Sequence, residues 1–113
     1  LLDFMLNRLH SLLHGLKVYP ENMEKNIWLT GGLIFSQKVL LKLIEKEMSR
    51  EDAYRVVQRN AMKTWEGGGD FKTLLLQDGE VSGLLSADEL EECFDVKADF
   101  KHIDHIYERV FGT

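Results

Sequence analysis

The chain has 113 residues, about one domain, and its 14 Lys and Arg against 19 Asp and Glu leave a net charge of −5. With no block of five or six basic residues, nucleic acid and anionic membrane are poor partners, and 44% hydrophobic residues are too many for intrinsic disorder. The single cysteine, Cys93, excludes an internal disulfide or a multi-cysteine zinc site, and neither a membrane-length apolar run nor a signal-peptide pattern is present, so a cytoplasmic setting is expected.

One proline, Pro20, and the near absence of alternating strand patterns predict an all-α fold. Leu2, Met5, Leu9, Leu12 and Leu16 recur at spacings of three and four, with Leu6 and Leu13 widening the stripe, so the first helix needs partners on a broad face. It starts in the apolar pattern with no capping residue, which predicts that it continues a longer helix. Gly15, placed to take a left-handed turn, and Pro20 close it, with the break near residues 17 to 20. A short helix to about Leu29 follows. Gly31 and Gly32 then allow a bend into an amphipathic run carrying Leu33, Ile34, Val39, Leu40, Leu43 and Ile44, either one kinked helix or two short ones.

Ser49 with Asp52 resembles a capping box opening a helix over 50–66, with Tyr54, Val57, Ala61 and Trp65 as its apolar stripe. Gly67, Gly68 and Gly69 end it, and Asp70 caps a short helix through Leu76. Ser86 with Glu89 opens another, to about Phe94. Asp95 or Asp99 is expected to cap the last helix, whose face of Phe100, Ile103, Ile106 or Tyr107, and Val110 is expected to be packed, and which Gly112 stops.

Several clusters invite chemical readings. The three glycines before Lys72 and Thr73 suggest a phosphate loop, but Asp70 and Phe71 interrupt the required succession and no strand precedes them. His10 and His14 share a helix face at zinc-protease spacing, yet Ser11 stands where that motif needs glutamate. His102 and His105 with Asp104 and Glu108 equally describe a solvated, charge-balanced face. The sharpest signal is a calcium loop from Asp78 to Glu89, with Glu80, Ser82 and Ser86 at ligand positions and Gly83 at the turn. Against it, Ser86 and Glu89 also cap a helix and Asp78-Gly79 also makes a turn. Cys93 beside Phe94 reads as a structural thiol, and Glu45, Glu47, Glu91 and Glu92 read as solvated faces. No catalytic, substrate-binding or metal residue is assigned, and no cofactor is expected.

Longer stretches resemble a known family. Residues 3–9 (DFMLNRL), 18–23 (VYPENM), 31–37 (GGLIFSQ) and 48–54 (MSREDAY) are similar to the carboxy-terminal part of bacterial adenylosuccinate lyases. So are Val57-Gln58-Arg59-Asn60-Ala61, His102-Ile103-Asp104 and Glu108-Arg109-Val110-Phe111. The resemblance implies the fumarase/aspartase superfamily, with three helical domains per subunit and homotetramers around a bundle of long helices. Residues 1–19 would then be the end of a central-domain helix and residues 20–113 the small third domain. The implied activity is fumarate release from adenylosuccinate, giving AMP, and from the succinyl-carboxamide intermediate of purine synthesis. The family's serine and histidine for this reaction lie upstream of the matched region, so the implied role of these residues is structural and in assembly. Asn7 and Arg8 are expected in or near the bundle. Asp99 stands where the family commonly has an aromatic, and His105 where it has a small polar residue. The alternative reading is a small helical calcium-binding or interaction module using the loop Asp78 to Glu89.

Overall fold

The computed structural model describes residues 1–112; Thr113, the last residue of the second expected unit, lies outside them. The described residues form eight α-helices and two short 3-10 turns, with no strand. Helix α1 (Leu2–His14) follows the predicted spacing, but none of its residues is buried. Gly15 closes it at φ −87°, not in the left-handed region foreseen for it; its N–H reaches Ser11 O at 3.1 Å, so the helix ends without a reversal. Pro20 takes the first position of α2 (Pro20–Trp28), where its missing N–H costs nothing. Gly31 and Gly32, at φ 67° and 87°, make the bend, and the apolar run splits into a 3-10 turn (Leu33–Phe35) and α3 (Ser36–Glu45). A Cβ on Gly32 would stand 3.1 Å from the Phe94 ring, so close approach as well as backbone angle favours glycine there.

Helix α4 (Arg50–Trp65) opens on the foreseen cap, Asp52 N–H donating to Ser49 Oγ at 3.1 Å. Its expected stripe is corrected. Val57 is buried and Ala61 half-buried, but Tyr54 and Trp65 are 57% and 71% exposed, and the core side is Ala53, Val56, Val57 and Asn60. Large aromatic residues at helical spacing marked a face that looks to solvent, while a small residue and an amide let α4 sit close to its neighbours. Helix α5 (Phe71–Gln77) is capped by Asp70 and α7 (Ala87–Cys93) by Ser86. Between them a four-residue helix, α6 (Gly79–Ser82), replaces the expected turn. Helix α8 (Ile103–Phe111) ends at Gly112, φ 69°. Neither Asp95 nor Asp99 caps it. Asp95 Oδ1 accepts from Lys97 N–H at the 3-10 turn Lys97–Phe100, Asp99 pairs with Lys38, and the position before α8 is His102.

The core is continuous. Helix α4 packs between α3 and α5, and α7 closes over α3 and α5. Phe35, Val39, Leu43, Val56, Phe71, Leu75, Val81, Leu90 and Phe94 fill it. Trp28 joins the aromatic set at 5.3 Å from Phe35, which stands 5.3 Å from Phe94, and this seats α2. The radius of gyration is 19.6 Å, against about 13 Å for a compact chain of this length. The two end helices depart from the core. The expectation that α8 is packed is corrected: Ile106, Tyr107 and Val110 are exposed and no residue of α8 is buried. An amphipathic pattern determines a helix and its apolar side, but the partner is a separate matter.

Candidate functional site

The densest polar constellation lies where α4 meets α6. Asn60 is 2% exposed in the middle of α4, so its amide needs partners. Its Nδ2 donates to Val56 O at 2.9 Å and to Asp78 Oδ2 at 2.7 Å. Arg59 Nη2 donates to the same Asp78 oxygen at 2.6 Å, while Asp78 Oδ1 accepts from Glu80 N–H at 3.0 Å and caps α6. Glu80 in turn receives Arg59 at 3.2 Å and Arg55 at 3.0 Å. Burial pushes the Asp78 carboxyl up, but the hydrogen bonds from Asn60 and Arg59 outweigh it and hold the group below its ordinary value. Hydrogen bonds from Arg55 and Arg59 lower Glu80 likewise. The arrangement is a charge-compensated lock joining α4 to Asp78, the residue between α5 and α6: both oxygens of Asp78 are already engaged.

That occupancy decides the calcium reading. Four residues of the supposed loop, Gly79–Ser82, are helical, and Gly83 sits at φ −73°, not in a turn that demands glycine. Glu89, the expected clamp, pairs with Lys46 at 2.7 Å and takes the Ser86 hydroxyl at 3.3 Å. The Lys46 ammonium holds its carboxyl low. Among the described residues no three His, Cys, Asp or Glu side chains gather as a metal site. The segment Asp78 to Glu89 is therefore two capped helices and their connection, and the alternative calcium module finds no support in its geometry.

The other candidates separate in the same way. His10 and His14 stack at 6.1 Å on exposed α1, and Ser11 donates to Asn7 O at 3.0 Å. Asn7 bonds Asp3 O at 2.9 Å and Arg8 lies 6.0 Å over the Phe4 ring, so both contacts are local to the helix. His102 precedes α8 and His105 lies within it, both exposed. Gly67 and Gly69, at φ 84° and 131°, turn the chain out of α4, and Lys72 pairs with Glu91. Cys93 is buried, its thiol donating to Glu89 O at 3.4 Å, and burial pushes its pKa up, away from nucleophilic use. A cleft by the Gly31 bend, lined by Leu29, Thr64, Trp65 and Asp70, brings no acid–base pair together. The lock itself escaped the sequence reading. Its one signal was Asn60, three residues past Val57 and so on a buried face, but the partner, Asp78, is 18 residues away.

With this geometry in view, comparison with known proteins is direct. The family described as "Adenylosuccinate lyase C-terminus" matches residues 32–110. The adenylosuccinate lyase of Thermotoga maritima is 51% identical over 108 residues, 96% of this chain and 25% of that protein. Those of Synechocystis and Helicobacter pylori are 50% and 48% identical, over 97% and 96% of this chain and 26% and 27% of theirs. The chain thus spans about a quarter of the length of the curated relatives it matches. On a family match over most of its length, and identity near one half across nearly all of it, the chain belongs to the adenylosuccinate lyase family, in its carboxy-terminal region.

Proposed function

We propose that this chain is the carboxy-terminal part of a fumarate-releasing lyase that cleaves adenylosuccinate to AMP and fumarate, and the succinyl-carboxamide intermediate of purine synthesis to its carboxamide and fumarate. The observation that carries the reading is the match to adenylosuccinate lyases at about half identity across 96–97% of the chain. In such an elimination a base removes the proton beside a carboxylate, the carbon–nitrogen bond breaks as the fumarate double bond forms, and an acid protonates the leaving nitrogen. We assign neither role here: the one dense polar cluster, Arg55, Arg59, Asn60, Asp78 and Glu80, is committed to internal ion pairs and a helix cap. Base, acid and phosphate site belong to upstream domains and neighbouring subunits of a cytoplasmic homotetramer.

In this reading residues 1–19 finish a central-domain helix and residues 20–113 form a third domain with a structural and assembly role. The bare apolar faces of α1 and α8 support it, because both need a covering surface that the other described residues do not supply. The test is adenylosuccinate cleavage followed by absorbance, with the full-length polypeptide carrying this sequence beside the 113-residue chain. Turnover by the former and none by the latter is the expected result. Cleavage by the isolated chain, or a folded full-length tetramer without activity, overturns the proposal.

A further inference from the structure

The segment between α7 and α8 is held in an unusual way. Phe94 is buried and Val96 packs against the core, but beyond Val96 the chain leaves apolar anchorage: Phe100 is 52% exposed and α8 buries nothing. One side chain spans this exit. Lys38, on α3, places its Nζ 2.8 Å from Asp99 Oδ2 and 3.3 Å from the backbone carbonyl of Asp95, and 5.4 Å over the face of Phe35. The ammonium thus joins both ends of the stretch 95–99 to a buried aromatic ring, while Asp95 Oδ1 accepts from Lys97 N–H and shapes the turn between them.

We propose that Lys38 is a clasp that fixes where α8 leaves the core, and that it opens as ionic strength rises. A nine-residue helix that buries none of its residues is marginal in water, so α8 needs a surface to lie on, and the direction in which it is presented is set by its root. At that root two polar contacts and one aromatic face converge on a single cation, 31% exposed, paired with a carboxylate that is 53% exposed. A pair so open to water is screened by salt, unlike the apolar packing of Phe94 just before it. Lys38 acts here as a positioning residue.

Amide hydrogen exchange on the 113-residue chain tests this, read at residues 97–100 with residues 53–57 of α4 as the internal reference. Lys38→Met keeps the stem and removes the charge; Asp99→Asn leaves Lys38 over Phe35 and weakens only the pair. At low salt each variant is expected to speed exchange at 97–100 about two- to fivefold with the reference unmoved, the range an exposed ion pair supports. At about 1 M salt, where the Debye length is ~3 Å, wild type should approach the variants. Unchanged rates at 97–100 in Asp99→Asn, or an equal rise at 53–57, overturn the clasp; the second outcome makes Lys38 an ordinary contributor to stability.

Discussion

Asn60 and Asp78 form the interaction on which the α4–α6 junction depends. Both are largely out of water, and each satisfies the other: the amide has two acceptors and the carboxylate three donors. Asn60→Ala removes one charge-assisted bond, leaves a buried carboxylate short of a donor, and should cost about 2 kcal/mol in urea denaturation. The pH dependence follows from the direction of the shift. Asp78 in the folded chain titrates below its ordinary 3.8, so its bonds contribute fully above that value, and their contribution is lost as pH falls through the lower native value. The gap in urea midpoint between wild type and Asp78→Asn should therefore be constant from neutral pH to about 5 and narrow below 3.8. A gap that widens in acid would mean that burial, not hydrogen bonding, governs the group.

At the scale of elements, the ends of helices carry most of the local information. Helix α3 stops in a Schellman turn: Met48 N–H reaches Leu43 O at 3.2 Å and Glu47 N–H reaches Ile44 O at 3.0 Å. The residue in the left-handed position is Glu47, φ 69°, where a Cβ is strained and glycine is the usual occupant. Glu47→Gly should raise the urea midpoint by the equivalent of about 0.5–1 kcal/mol, the relief of strain exceeding the extra entropy of the unfolded chain. Such local logic is why Ser49, Asp70 and Ser86 were legible as caps: each bonds an N–H three residues on. The failures share the opposite cause. The core face of α4 depends on how closely α3 and α5 approach, so Tyr54 and Trp65 were misplaced and Ala53 and Asn60 overlooked. Asp99 resembled a cap until the fold brought Lys38, 61 residues earlier, against it. The calcium spacing from Asp78 to Glu89 failed because Arg59 and Lys46, distant in sequence, take the carboxylates.

For the whole molecule the decisive quantity is surface. The chain exposes 9076 Å², whereas a compact monomer of 13.1 kDa exposes about 6,400 Å², an excess comparable to one side of an obligate interface. Much of that excess is apolar and ordered: Leu2, Met5, Leu9 and Leu12 run along one side of α1, and Ile106 and Val110 along α8. The three-four spacing on α1 suits another helix better than a flat surface, because side chains so spaced interlock with those of a neighbour. The isolated chain should therefore associate with itself as concentration rises, and sedimentation equilibrium should show a mass above 13.1 kDa. Leu9→Glu, a charge at the centre of the stripe and 51% exposed in the single chain, should return it to a monomer while leaving the urea midpoint of the α3–α7 core unchanged. The two measurements separate surface from core: association lost together with core stability would mean that α1 supports the fold it stands beside. A wild-type chain that stays monomeric would mean that α1 requires a helix of different sequence to cover its stripe.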